Sequence, residues 1–152
     1  MKKVAVIVGS KSDTEQIQPG LDLLAEFGVT AEFKVLSAHR DADALREYVL
    51  SMENGEYAAV IAAAGMAAAL PGVVAAHTLL PVIGVPMKGG ALNGVDALYS
   101  IVQMPKGVPV GCMAIGSSGA VNAALLAIRI MALTDAGLKA KLNAYRERQK
   151  TA

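Results

Sequence analysis

The run Val4-Ala5-Val6-Ile7-Val8-Gly9-Ser10 decides how the rest of the chain is interpreted. Five consecutive apolar residues without polar alternation are typical of a strand that is covered on both faces, as in a parallel sheet. The glycine and the serine predict a turn into a helix, capped by Ser12 or Asp13 and ended by Gly28. Pro19-Gly20 lies inside that helical pattern and predicts a kink or a delayed start.

The same order of strand, turn and helix recurs along the chain. We expect further strands at 29–36, 58–63, 81–85 and 111–115, each followed by a helix. This alternation predicts a doubly wound parallel sheet in a three-layer α/β/α sandwich, formed by a single domain over residues 1–152. A C-terminal helix at about 135–150 carries one narrow apolar stripe, and we expect it to pack on other subunits.

The composition favours an oligomer and disfavours binding to a nucleic acid polymer. Apolar residues make up 54% of the chain before its 15 glycines are counted, which exceeds the usual share of about 45–50% for both together. We therefore expect apolar surface to be buried between identical subunits. A net charge of +1 offers a polyanion little attraction, although a single small nucleotide could still bind.

The remaining classes of protein find little support in the sequence. Cys112 is the lone cysteine, and the apolar run after Lys3 is too short for a signal-peptide core, so we expect a cytoplasmic protein. Glycines and prolines interrupt the apolar stretch at 58–87, which argues against a membrane span. Two histidines and one cysteine offer no metal-ligand spacing, and we expect no metal site.

The candidate chemistry centres on Ser37-Ala38-His39-Arg40, which joins a predicted strand to a predicted helix. Ligands of open α/β sheets bind at the carboxyl ends of the strands, and this turn combines a hydroxyl, an imidazole and a guanidinium. An exposed turn without function explains these four residues equally well. His77 lies in an apolar helical stretch and is interpreted as a packed or interface residue, which leaves His39 as the only well-placed acid or base.

Three other turns could contribute to the same site. The turn at 9–13 offers the Ser10 hydroxyl and backbone amides to a phosphate, although a simple helix cap explains it as well. Asp13 would repel a phosphate and suits a ribose hydroxyl or a cap. Small residues at 63–72 could admit a ligand close to the backbone, or could simply pack. The loop at 86–96 is long enough to close over a site.

Several stretches, in this order, carry a family resemblance: Gly9-Ser10-Lys11-Ser12-Asp13, Ser37-Ala38-His39-Arg40, Leu70-Pro71-Gly72, Pro81-Val82-Ile83-Gly84-Val85-Pro86 and residues 94–105. Over residues 4 to about 145 the chain resembles the N5-carboxyaminoimidazole ribonucleotide mutases of de novo purine synthesis. The resemblance implies a flavodoxin- or Rossmann-like subunit in a homo-octamer that uses neither a metal nor an organic cofactor. It also implies transfer of a carboxylate from N5 to C4 of an aminoimidazole ribonucleotide, through loss and recapture of carbon dioxide.

The resemblance further implies a role for each matching residue. His39 would carry the proton, Arg40 would hold the phosphate together with Ser10 and Ser37, and Asp13 would hold the ribose. Apolar residues of the third turn would wall the cavity that retains carbon dioxide, namely Ala64, Gly65, Met66 and Leu70.

The chain departs from the commonest bacterial pattern of that family, Gly-Gly-Ala-Ala-His-Leu-Pro-Gly. Met66 stands at the second glycine and Ala69 at the histidine. A related class carboxylates the aminoimidazole ribonucleotide directly and also lacks this histidine, but it typically has lysine at the position of Arg40. Direct carboxylation is therefore the alternative activity, and a non-catalytic nucleotide-binding module is a third hypothesis.

Overall fold

The computed structural model describes residues 1–150, in which five strands form one parallel sheet. The strands are β1 (Lys3–Val8), β2 (Ala31–Val35), β3 (Tyr57–Ala64), β4 (Val82–Pro86) and β5 (Gly111–Cys112). Their order in the sheet is β2-β1-β3-β4-β5. This is the flavodoxin-like order, so the predicted doubly wound parallel sheet is confirmed.

Within residues 1–150, six α-helices cover the two faces of the sheet. They are α1 (Thr14–Glu26), α2 (Ala42–Ser51), α3 (Leu70–Ala75), α4 (Val95–Val102), α5 (Ser117–Met131) and α6 (Ala136–Gln149). Side chains of α1, α5 and α6 share one core with the sheet, and side chains of α2, α3 and α4 share the other. The three-layer sandwich is therefore also confirmed. Across residues 1–150, no helix combines the length and the apolar character needed to cross a membrane.

The unbroken apolar character of β1 follows from its central position between β2 and β3. Val4, Val6 and Val8 point into the core shared with α1 and α5, whereas Ala5 and Ile7 point into the core on the other face. Successive side chains of a strand alternate between its faces. Every position of a strand buried on both faces must therefore be apolar, as the sequence indicated.

Helix α1 begins before Pro19 and continues through it, so the predicted delayed start is wrong. A short 3-10 turn at Lys11–Asp13 leads directly into the helix. The residue after the proline, Gly20, lies close to α5. A Cβ atom added to Gly20 would lie 2.6 Å from the carbonyl oxygen of Ala120. Glycine at this position therefore allows the backbones of α1 and α5 to approach each other.

Strand β5 is shorter than the predicted strand at 111–115. Regular pairing ends at Cys112, although Met113 N still donates to Gly84 O at 2.9 Å and Gly116 N to Pro86 O at 2.8 Å. The chain then turns so that α5 can begin against the end of the strand, where a Cβ on Gly119 would overlap the carbonyl group of Ala114. This turn ends the strand earlier than the apolar pattern suggests.

The apolar stripe of α6 packs on its own chain. Leu138 is buried, and the ring centroids of Tyr145 and Phe27 are 5.7 Å apart. Lys141 Nζ also donates to the carbonyl oxygen of Phe27 at 2.8 Å. The stripe that was expected to pack on another subunit thus contacts α1 of its own chain, and contact of α6 with other subunits stays a prediction.

Candidate active site

The loops that follow β1, β2, β3 and β4 line one cleft at the carboxyl ends of these strands. Its volume is about 520 Å³, which falls within the range of about 300–1,000 Å³ usual for small-molecule sites. The cleft extends across the β1–β3 boundary, where the winding of the sheet reverses and α/β proteins commonly bind ligands. Its lining residues are Gly9, Ser10, Ser12, Asp13, Ser37, Ala38, His39, Arg40, Ala64, Gly65, Met66, Ala67, Ala68, Ala69, Leu70, Lys88, Gly89 and Gly90.

The turn after β1 presents hydroxyl groups and one buried carboxyl group. Ser10 caps the 3-10 turn because its Oγ accepts from Ser12 N at 3.3 Å, and Ser12 Oγ donates to the same atom at 2.9 Å. Asp13, one of the two predicted caps, does occupy the N-cap position of α1, but its side chain makes no capping hydrogen bond; the side-chain cap is that of Ser10 on the preceding 3-10 turn. Asp13 is 8% exposed. Burial raises the pKa of its carboxyl group, and this effect is larger than the opposing effect of a backbone hydrogen bond from Ser10, which lowers the pKa. A buried carboxylate of this kind can accept hydrogen bonds from the hydroxyl groups of a ligand.

The turn after β2 holds Arg40 across the ends of two strands. Arg40 donates to Ser37 Oγ through its backbone nitrogen at 3.2 Å and through Nε at 3.3 Å, and its NH2 group donates to Gly9 O at 3.3 Å. His39 is exposed at the same cleft. Its imidazole has no hydrogen-bond partner among residues 1–150. The imidazole is therefore available to exchange a proton with a bound ligand.

The turn after β3 gives the cleft a wall of small and apolar residues. Met66 has φ +52°, a conformation that costs a side-chain-bearing residue about 1–2 kcal/mol. Glycine adopts it without that cost, and glycine is the residue expected here from the pattern that the chain resembles. A Cβ on Gly90 would lie 3.2 Å from the Cγ and Sδ atoms of Met66. The Met66 side chain thus lies against the next loop, on the wall that also includes Ala64, Gly65 and Leu70.

The loop after β4 contributes Lys88, Gly89 and Gly90 to the cleft. Gln16 of α1 holds the Lys88 backbone through two hydrogen bonds. Lys88 N donates to Gln16 Oε1 at 2.9 Å, and Gln16 Nε2 donates to Lys88 O at 3.0 Å. The sequence predicted that this loop could close over a site, but it did not single out either residue.

Every residue predicted for the site lies at this cleft, together with Ser12 of the predicted phosphate turn. The structure adds two residues that the sequence analysis did not single out, Lys88 in the lining and Gln16, which holds the Lys88 backbone. One feature of the sequence could have indicated Lys88 as a site residue, since it is the only cationic residue of the loop at 86–96. No feature of the sequence indicated Gln16, because a glutamine on a predicted helix is usually interpreted as a surface residue. His77 follows α3, is partly exposed and does not line the cleft, and its interface role stays a prediction.

Fixed positive charge reaches the cleft from both sides. Arg40 follows β2 and Lys88 follows β4, with β1 and β3 between them. Within residues 1–150 neither side chain forms an ion pair with a carboxylate. In the same part of the chain, no three His, Cys, Asp or Glu residues are grouped so that they could hold a metal ion. The arrangement suits a ligand with more than one anionic group and with hydroxyl groups.

Comparison with solved structures supports the fold. The crystal structure of Treponema denticola PurE matches with a TM-score of 0.90 and 27% sequence identity, covering 99% of this chain and 93% of that one. The similarity therefore extends over the whole sheet and its helices.

Curated relatives are closer in sequence. The N5-carboxyaminoimidazole ribonucleotide mutase of Haemophilus influenzae is 51% identical over 147 residues, which is 97% of this chain and 90% of that protein. The mutases of Escherichia coli and Pyrococcus abyssi are 50% and 49% identical, covering 97% and 99% of this chain and 87% and 85% of those proteins. Residues 3–152 match the family model described as AIR carboxylase. This chain therefore belongs to the AIR carboxylase family.

Proposed function

We propose that the protein is an N5-carboxyaminoimidazole ribonucleotide mutase of purine biosynthesis. The reaction breaks the bond between N5 and the carboxyl carbon, and it forms a bond from the same carbon to C4 of the ring. Relatives at about 50% identity over nearly the whole chain carry this name. The observation in the structure that carries the proposal is the unpartnered imidazole of His39, which lines one cleft with Arg40 and with the hydroxyl groups of Ser10 and Ser37.

His39 can serve both halves of the reaction. When the carbamate loses carbon dioxide, N5 gains a proton, and His39 is placed to donate it. When C4 then attacks the carbon dioxide, the ring carbon carries both a hydrogen and the new carboxylate, and the neutral imidazole can remove that proton. The proton gained at N5 equals the proton lost at C4, so one histidine returns to its starting state in each cycle.

The binding roles follow from the chemistry of the other side chains. Arg40 keeps a fixed charge and already shares the Ser37 hydroxyl, so it would bind the phosphate together with Ser10 and Ser37. Asp13 lies next to these groups and would accept hydrogen bonds from the ribose hydroxyls.

The wall after β3 would retain carbon dioxide between the two halves of the reaction. Ala64, Gly65, Met66 and Leu70 carry no polar side chain, and they form a continuous side of the cleft. A nonpolar gas held beside C4 reacts at a high effective concentration, whereas a gas lost to water does not. In this reaction the chain would need neither a metal nor an organic cofactor.

Direct carboxylation of the aminoimidazole ribonucleotide is the second candidate function. Ala69 favours it, because this residue leaves the turn after β3 without the histidine that is usual in the mutases. Both activities would use His39 and the same wall, and the substrate therefore separates them.

The test is an assay with two substrates. One sample receives the N5-carboxy nucleotide, the other receives the uncarboxylated nucleotide with bicarbonate, and formation of the C4-carboxylate is followed in both. Rapid turnover of the N5-carboxy nucleotide supports the mutase, and rapid turnover in the second sample alone contradicts it. The His39→Asn protein, prepared in the same way, gives the background rate without an acid or base.

We also propose that the enzyme is a cytoplasmic homo-oligomer, with eight subunits as the expected number. Large apolar side chains remain exposed on the subunit, including Leu79 at 96%, Leu133 at 83% and Tyr99 at 63%. Burial of such residues between subunits would remove their apolar surface from water. Light scattering at micromolar concentration is the measurement, and a monomer would contradict the proposal.

A further inference from the structure

We propose that Lys88 binds the carboxylate that is transferred in the reaction, and that Gln16 is the residue that positions it. The inference rests on the proposed mutase function and adds a role for two residues outside the predicted site. It begins from the distribution of charge in the cleft.

The substrate has two anionic groups, a phosphate and a carboxylate, and the cleft has two side chains with fixed positive charge. Arg40 has the hydroxyl of Ser37 beside it and the turn of Ser10 nearby, and these groups together suit a phosphate. Lys88 lies beyond β1 and β3 on the other side of the cleft. A ligand that spans the cleft with its phosphate at Arg40 therefore presents its opposite end toward Lys88.

The Lys88 backbone is held more firmly than its place in a glycine-containing loop suggests. Both ends of the Gln16 carboxamide are used, one to accept from Lys88 N and the other to donate to Lys88 O. The preceding residue, Met87, is fully buried and donates to Ala64 O at 2.9 Å. Hydrogen bonds thereby hold the backbone at Met87 and Lys88 to β3 and to α1. Gly89 and Gly90, which follow, are not held by a side chain in this way.

The lysine stem is also guided. A Cβ on Gly116 would lie 3.5 Å from Lys88 Cε, 3.7 Å from its Cδ and 3.6 Å from Gln16 Oε1. Gly116 has φ +79°, a conformation that favours glycine. The distal methylene groups of Lys88 therefore lie beside Gly116, where a side chain on that residue would contact them.

The charge of Lys88 is not used elsewhere in the described part of the chain. Within residues 1–150 its ammonium group has no hydrogen bond and no ion pair. An ammonium group directed at the reacting end would stabilise the carboxylate of both substrate and product. It would also act on the negative charge that develops as carbon dioxide is recaptured.

The experiment compares the affinity of two nucleotides that differ only in the carboxylate. Calorimetric titration measures the product 4-carboxy-5-aminoimidazole ribonucleotide and the uncarboxylated 5-aminoimidazole ribonucleotide against each variant. Lys88→Met should weaken binding of the carboxylated nucleotide about 10-fold, as for a lost charge-assisted hydrogen bond, and change the other less than about 2-fold. Arg40→Ala should weaken both nucleotides to the same extent, because both contain the phosphate.

Gln16→Leu should reproduce the selective loss to a smaller extent, and Lys88→Arg should restore part of the selectivity. Gln18→Leu is the matched control, since Gln18 lies on the same helix and its amide donates only to Asp22 Oδ1 at 2.8 Å. Gln18→Leu should leave both affinities unchanged. A Gln16 variant that lost affinity for both nucleotides equally would be structural only.

An equal loss for the two nucleotides in Lys88→Met would assign Lys88 to the phosphate and overturn the proposal, as would unchanged affinity for both. Turnover by the unmodified protein in the two-substrate assay is measured separately. If the unmodified protein turns over the N5-carboxy nucleotide but Lys88→Met shows no selective loss of affinity, the role proposed for Lys88 is wrong and the proposed mutase function stands.

Discussion

At the amino end of the sheet, Lys3 pairs with Glu32 at 2.8 Å and with Glu56 at 3.2 Å. At the carboxyl end, Arg40 and Lys88 pair with no carboxylate among residues 1–150. The same sheet therefore satisfies its charges at one end and leaves them available at the other. Both side chains are exposed to water, and an anionic ligand can supply the carboxylate or phosphate partner that the chain does not.

The amino-end cluster is built from three neighbouring strands and one helix. Lys3 begins β1, Glu32 belongs to β2, and Tyr57 begins β3, with the ammonium group 4.5 Å from the Tyr57 ring centroid. Tyr48 of α2 donates from its hydroxyl to Glu32 Oε1 at 2.9 Å. These contacts lower the pKa of Glu32 to about 2, with the Lys3 hydrogen bond as the largest cause. They also raise the pKa of Lys3, chiefly through Glu32.

The largest effect should come from the carboxyl end, through His39→Asn. Asparagine keeps the polarity and approximate size of the side chain but cannot exchange the proton, so kcat should fall about 10²- to 10⁴-fold. Binding of the product nucleotide and the unfolding midpoint should remain close to those of the unmodified protein. His77→Asn, at the other histidine, should retain full turnover. Undiminished activity of His39→Asn would exclude His39 as the acid and base.

Arg40→Ala should have the next largest effect. Loss of the guanidinium removes a charge-assisted contact with the phosphate and should weaken nucleotide binding by about 1.5–3 kcal/mol. Titration with the product nucleotide measures the change. Within the chain, Arg40→Ala removes only exposed hydrogen bonds to Ser37 Oγ and Gly9 O, so thermal stability should change little, and a marked drop in the unfolding midpoint would show that the arginine is structural.

Glu32→Gln tests the amino end of the sheet. In contrast to the substitutions at the carboxyl end, it should lower stability and leave activity unchanged. The substitution removes the charge that accepts from Lys3 and Tyr48, and it should lower the free energy of unfolding by about 1 kcal/mol. Denaturant titration gives this value, and the same protein should retain full turnover. A loss of activity without a loss of stability would contradict the division between the two ends of the sheet.

The smallest effect concerns the dependence of stability on pH. The ordinary pKa of Glu32 is 4.5 and its folded value is about 2, so its contribution is present above about pH 4.5. That contribution is lost as the pH falls toward 2. Burial raises the pKa of Asp13 above its ordinary 3.8, so ionisation of Asp13 instead lowers stability as the pH rises through its folded value.

Denaturant titration between pH 2 and 7 separates the two groups. Glu32→Gln should flatten the acid limb of the stability curve, and Asp13→Asn should raise stability near neutral pH while weakening nucleotide binding. If Asp13→Asn instead lowered stability near neutral pH, the carboxylate would be stabilising the free protein, and the contrast with Glu32 would fail.

The residues of the fold that could be predicted are those whose pattern has one physical explanation. The apolar run of β1 and the strand predicted at 29–36 set two strand ends, and parallel strands bring their carboxyl ends to one edge of a sheet. This placed His39 and Arg40 at the cleft from the sequence. The resemblance supplied Asp13 and the wall after β3, which residue types alone left open.

The parts that could not be predicted depend on contacts between distant segments. The early end of β5 is set by the approach of Gly119 to the Ala114 carbonyl group, and a local pattern of apolar residues does not contain that information. The bond between Gln16 and Lys88 joins residues 72 positions apart. Neither residue type indicates such a contact, and so the hydrogen bonds that hold the loop after β4 were visible only in the structure.

The close approach of Gly20 to Ala120 has a consequence for how the cleft forms during synthesis. All the residues that line the cleft lie between Gly9 and Gly90, so a ribosome has delivered them before α5 exists. Until α5 leaves the exit tunnel, the face of α1 that carries Gly20 lacks the helix against which it packs, and we expect α1, with Gln16 on it, to be less firmly placed against the Lys88 loop. A nascent chain that stops just before α5 should therefore carry every cleft residue and still bind no nucleotide.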